Sequence, residues 1–162
     1  MRILEKLDEK CLRRLGDEGE AGPEAAARVA ELAVPMMLGA ARAHPELPRL
    51  VDIVAREYGQ LRYNLAGYFS SALAHFNNRQ HGPDLGLVGM LFENHGAHAA
   101  YLVAGHTGLE ARQVMRMMGM LAPVVISHLE VEAPDEDSPL AQAAVELVAH
   151  GDARPLEKAL AP

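Results

Sequence analysis

The chain has no tryptophan, only four tyrosines and three phenylalanines, and one cysteine among its 162 residues. Aromatics make up 4% of a sequence that is 49% hydrophobic, so Ala, Leu, Val and Met carry most of the apolar surface, a balance that suits helices packed through aliphatic side chains better than sheets. The lone Cys11 excludes an intrachain disulfide and fits a reducing compartment. No run of about 18 apolar residues is present, which excludes an apolar membrane-spanning helix. The opening Met1-Arg2-Ile3-Leu4-Glu5-Lys6 becomes charged before an apolar stretch of signal-peptide length develops, so the expected location is the cytoplasm. Positive charge is also scarce: 15 Lys and Arg stand against 22 Asp and Glu, giving a net charge of −7 with no basic run. That balance argues against nucleic acid or an anionic membrane surface as the main partner, because both require a positive face.

What the sequence does have is helical periodicity, in a length suited to one core. Leu4, Leu7, Cys11, Leu12 and Leu15 mark a first helix over 2–15, with Gly16 expected to stop it and 16–22 expected as a polar loop. Pro23 suits the first position of an Ala-rich helix reaching about Arg42. Leu47, Leu50, Val51 and Val54 predict a helix from Glu46 to Tyr58, broken by Gly59, and Leu65, Phe69, Ala72, Leu73 and Phe76 predict another over 65–77. Residues 77–83 read as a loop, followed by short helices over 84–93 and 96–104, the second halted at Gly105. Thr107-Gly108-Leu109-Glu110 has the form of a capping box and predicts a long helix over 108–129, kinked at Pro123. An acidic linker over 130–137 leads to Ser138-Pro139, a cap and first-turn proline for a last amphipathic helix, with a loosely held tail beyond it. The expected fold is an all-α, compact bundle of about six to eight helices.

Two further patterns organise the chain. Superposing Pro35 on Pro123 aligns Arg28-Val29 with Arg116-Met117, Leu32 with Met120, and Met36-Met37-Leu38 with Val124-Val125-Ile126, an internal echo of two proline-bearing helices. The blocks Leu87-Val88-Gly89-Met90-Leu91-Phe92, Thr107-Gly108-Leu109-Glu110 and Met117 to Val125 resemble the C-terminal signature of the YidB-like family of small bacterial domains of unknown function. Val34-Pro35-Met36-Met37-Leu38-Gly39-Ala40-Ala41-Arg42 resembles its other hallmark, so the likeness covers roughly residues 24–130. The resemblance implies an all-α fold and supplies no catalytic residue. It divides the chain into a helical domain at 1–130 and an added linker and helix at 131–162. This chain departs from the family in its aromatic, His-bearing segment 58–82 and in everything after Glu130.

Three groups of residues are candidates for chemistry or binding. His95, His98 and His106 fall on one helical face and, with Glu93, are a possible metal set, although a helix stop at Gly105 would separate His106, and packing or capping serves such histidines equally well. Met115, Met117, Met118 and Met120 can form an adaptable groove for an apolar ligand or partner helix, or fill a core. Tyr58, Tyr63, Tyr68, Asn64 and His75 can rim a pocket, or close a satellite cluster. Tyr63, Tyr68, Met115 and Met118 are the ligand-site candidates. Ser70-Ser71 and Ser127-His128 lack the third partner of a triad, and Gly86-Leu87-Val88-Gly89 lacks the lysine of a phosphate loop. The expected role is a non-enzymatic interaction or scaffold domain that self-associates and needs no cofactor. A small apolar-ligand binder and a metal protein using the three histidines are the alternatives.

Overall fold

The computed structural model describes residues 2–59, 61–70, 83–130, 132 and 138–161. Among them there are ten α-helices, one 3₁₀ turn and no strand. The all-α expectation holds, but the helix number exceeds it because both ends of the chain are more divided than periodicity suggests.

At the start, the expected helix 2–15 is two helices, α1 (Ile3–Lys6) and α2 (Glu9–Glu18). Asp8 causes the break: its carboxylate accepts the Cys11 N–H at 2.9 Å, so it caps a new helix instead of continuing the old one. Gly16 does not stop α2. It lies inside the helix, where the chain folds back so closely that a methyl group would sit 2.7 Å from the Ala21 carbonyl oxygen. The turn comes at Gly19, whose N–H returns to Leu15 and Gly16.

α3 (Pro23–Ala43) and α8 (Ala111–Ser127) form the centre and pack on each other. α3 buries residues around most of its circumference from Ala26 to Ala41, and α8 buries an unbroken run from Met117 to Ile126. Such helices are apolar on all sides because neighbours enclose them. Both helices continue through their internal prolines, Pro35 and Pro123. α2 packs on both, while α4 (Leu47–Tyr58), α6 (Leu85–Leu91) and α7 (Gly96–Thr107) pack on α8. Gly59, at φ 60°, closes α4, and a 3₁₀ turn, Leu61–Tyr63, leads to α5 (Leu65–Phe69). The helix predicted over 65–77 reaches its C-cap at Ser70; Ala72, Leu73 and Phe76 lie outside the described residues.

Two boundaries differ from expectation for one reason. α7 runs through Gly105 and ends at Gly108, whose φ of 78° gives the left-handed closure that a glycine accepts without steric cost. Thr107 therefore belongs to the last turn of α7, its hydroxyl donating to the Val103 carbonyl at 2.9 Å, and cannot cap α8. The capping box exists three residues later: Glu110 is the cap, and its N–H donates to Gln113 Oε1 at 2.9 Å.

The last helix is capped as expected. Ser138 Oγ accepts the Ala141 N–H at 3.3 Å at the start of α9 (Pro139–His150). The tail expected to be loose forms α10 (Arg154–Ala159), with Leu156 and Leu160 buried. Among the described residues α9 makes its most extensive contact against α3, and α10 bridges α9 and α7. No helix among the described residues is long and apolar enough to cross a membrane.

Candidate functional site

A polar knot lies where the aromatic segment meets α8, and Pro123 creates it. A proline has no N–H, so the carbonyl four residues earlier, on Gly119, is left without its helical donor. The Asp84 N–H takes that carbonyl at 3.1 Å. Gly119 lets it approach: a methyl group there would lie 2.6 Å from Pro83 Cβ and 3.0 Å from Asp84 N. Asp84 then caps α6, Oδ1 accepting the Leu87 N–H at 3.0 Å while Oδ2 accepts the Tyr58 hydroxyl at 2.9 Å. Beside it the Tyr68 hydroxyl donates to the Met120 carbonyl at 2.7 Å. Tyr58, Tyr68 and Phe69 pack edge to face, with ring centroids 6.0 and 5.0 Å apart. This knot fixes Ser70 and Pro83, the two residues flanking the 71–82 stretch; His75 lies outside the described residues.

The ligand-site candidates do not meet. Tyr68 is buried with its hydroxyl engaged, and Asn64 caps α5 by accepting the Gly67 N–H. Tyr63 is 69% exposed, covered on one side by the Arg62 guanidinium 4.8 Å from its ring centroid. It lines a cavity of about 270 Å³ with Val51, Val54, Leu61, Ile126 and Leu129, whose charged rim is the Arg62–Glu130 pair at 3.1 Å. Met118 is fully buried, as are Met117 and Met120. Met115 borders a different cleft of about 420 Å³, with Leu85, Arg112 and Arg116. Arg116 there binds the C-terminal end of α2 through the Glu18 carbonyl at 3.0 Å and the Glu18 carboxylate.

The three histidines share a face but not a centre. Because α7 continues through Gly105, His98 and His106 stand on one helix, yet eight residues separate them by about 12 Å along its axis. Each meets a different part of the C-terminal helices. His95 lies beside Gly151, His98 Nε2 is 3.7 Å from Glu157 Oε1, and His106 Nδ1 is 3.3 Å from the Leu160 carbonyl oxygen. Glu93 approaches His44 Nε2 at 3.8 Å instead. No three His, Cys, Asp or Glu side chains among the described residues gather as metal ligands.

Other polar residues gave no sign of their role in the sequence. His128 is fully buried at the end of α8, its Nδ1–H donating to the Val124 carbonyl at 2.7 Å and Ser127 Oγ at 3.1 Å from the same nitrogen. Nε2 has no hydrogen-bond partner among the described residues, and burial holds the imidazole below its usual pKa. Buried Glu132 accepts the Ile3 N–H at 2.7 Å, tying α1 to a residue 129 positions away. Nothing in their spacing could signal these roles, because both depend on contacts made only after folding.

A family model described as a bacterial protein of unknown function, DUF937, matches residues 2–131. The resemblance to YidB-like domains is consistent with this match. No curated protein and no solved structure matches the chain. By the extent of the match, the chain belongs to the DUF937 family of bacterial proteins of unknown function.

Proposed function

We propose that this chain is a non-enzymatic helical interaction domain that associates with itself and works in a reducing compartment. The observation that carries this reading is how the polar side chains are used. Asp84, Asn64, Asp8, Ser138 and Glu110 cap helices, and Tyr58 and Tyr68 hold elements together. Glu132 and Arg116 likewise join distant segments. Catalysis needs a nucleophile or base next to an orienting partner and an open reaction space. Here Ser127 and His128 lie side by side, but His128 Nδ1–H faces a carbonyl and cannot take the hydroxyl proton. The surface meanwhile presents Leu4, Val51, Tyr63, Leu85 and Tyr101, each at least one-third exposed. The net charge of −7 disfavours nucleic acid as the partner.

Light scattering on the eluate of a sizing column tests the reading. It expects a species heavier than one chain whose share grows with protein concentration. A strictly monomeric mass up to millimolar protein would refute self-association.

A further inference from the structure

We infer that the cavity between α4, the 3₁₀ turn and the end of α8 binds a small apolar carboxylate, with its chain on the aliphatic floor and its acid group on the Arg62 guanidinium. The inference goes beyond the interaction reading and holds whether or not the chain associates with itself.

The cavity has an apolar floor and an apolar edge. Val54, Leu61 and Ile126 are buried in its floor, while Val51 and Tyr63 border it at 38% and 69% exposure. Two of the five large hydrophobic side chains exposed among the described residues thus edge one concavity. Gly59 also borders it, and a Cβ there would meet no atom within 4 Å, so that side is open. At about 30 Å³ per heavy atom, the volume of about 270 Å³ takes a chain of about eight or nine atoms. The ligand is therefore smaller than a typical cofactor.

The charged residues on the cavity are Arg62 and Glu130, and they are held unequally. The Arg62 side chain is 22% exposed and that of Glu130 is 78% exposed. Tyr63 fixes the guanidinium twice: its hydroxyl oxygen accepts an Nη2 hydrogen at 2.6 Å, and its ring centroid lies 4.8 Å from Cζ. The Glu130 carboxylate has no partner besides Arg62 among the described residues. An exposed ion pair contributes little, so the arginine is the fixed member and Glu130 is the one that gives way.

The chemistry of the ligand follows from this pairing. Among the described residues Arg62 spends one N–H on Glu130 and one on Tyr63, which leaves donors of its guanidinium fork for a second acceptor. A carboxylate matches that fork with two oxygens. An apolar acid also brings a chain to bury on Val54, Leu61 and Ile126, which Glu130 does not, and that burial is what favours it over Glu130. A neutral alcohol gains the floor without the charge, and an apolar cation meets the guanidinium with like charge.

Titration of octanoate into the full-length chain, read by calorimetry and by amide NMR shifts, tests the site. Binding should saturate at one site with a dissociation constant of about 1 mM or tighter, and octanol should bind about tenfold more weakly. Arg62→Gln should weaken octanoate about tenfold, whereas Glu130→Gln, which removes the competing carboxylate, should tighten it about two- to fivefold. Both substitutions break the same ion pair, so a purely structural effect would move the two alike. Val51→Trp, at the exposed edge, should fill the space and lower octanoate affinity about tenfold while circular dichroism shows the fold retained. No saturable binding, octanol as tight as octanoate, rim variants that move together, or a folded Val51→Trp chain with wild-type affinity would each overturn the site.

Discussion

Pro123 withholds one N–H from α8, and the carbonyl it leaves free on Gly119 becomes the anchor of Asp84. Gly119→Ala should therefore cost about 1–3 kcal/mol, since the added methyl forces Pro83 and Asp84 outward and lengthens that bond. Urea denaturation followed by circular dichroism measures it, and an unchanged midpoint would show that α6 shifts freely. His128 makes a prediction in pH. Burial lowers its folded pKa below the 6.5 of a free imidazole, so below pH 6.5 the unfolded chain takes up a proton that the folded chain resists. Stability attributable to His128 is thus full above pH 6.5 and declines as the pH falls from there toward the folded pKa. Subtracting the stability profile of His128→Gln from that of the wild type should expose this slope below pH 6.5, and parallel profiles would contradict it. Cys11 is 3% exposed, and its thiol is pushed up to about 11, first by burial and then by Asp8. Against an ordinary thiol its reactive thiolate fraction falls about 100-fold near pH 8, so maleimide should label the native chain slowly and the urea-unfolded chain at once.

Helix ends show where local rules suffice and where they fail. Ser138 was legible as a cap, since it immediately precedes an apolar helical run and its side chain needs only the first turn as partner. The start of α8 was misplaced because Thr107 fits the cap pattern and Glu110 does not, while Gly108 ends α7 in a left-handed turn and leaves the cap to Glu110. Gln113 does more than complete the box at Glu110: its amide also donates to the Gly19 carbonyl at 2.9 Å, joining α8 to the end of α2. Gln113→Ala should cost about 1–2 kcal/mol, more than Glu110→Ala, whose side chain lies largely in solvent. A larger loss for Glu110→Ala in the same denaturation assay would mean that the cap matters more than the tertiary bond. Arg116 grips the same end of α2 through a carbonyl and a carboxylate at once, so Arg116→Lys should recover little of the stability lost in Arg116→Ala.

Across the whole molecule, α9 lies on α3 with Gly39 against Ala141, and Leu147 of α9 is 1% exposed in the core. Leu147→Ala should lower stability by about 2–4 kcal/mol in thermal or urea unfolding, which a peripheral helix would not show. All-α class and the identity of most helices were set by composition and apolar spacing, because these depend on neighbours three and four residues away. The echo between Pro35 and Pro123 was likewise visible, but that the carbonyl freed by Pro123 meets the Asp84 N–H is a property of the fold. Spacing placed His95, His98 and His106 on a common face; folding set His95 beside the end of α9 and His98 and His106 against α10, and the three do not gather as metal ligands. Glu132 reaching Ile3, Asp84 reaching Gly119 and Ala141 meeting Gly39 were decided by tertiary structure alone, because each joins residues far apart in the chain through a contact that exists only when the helices are packed.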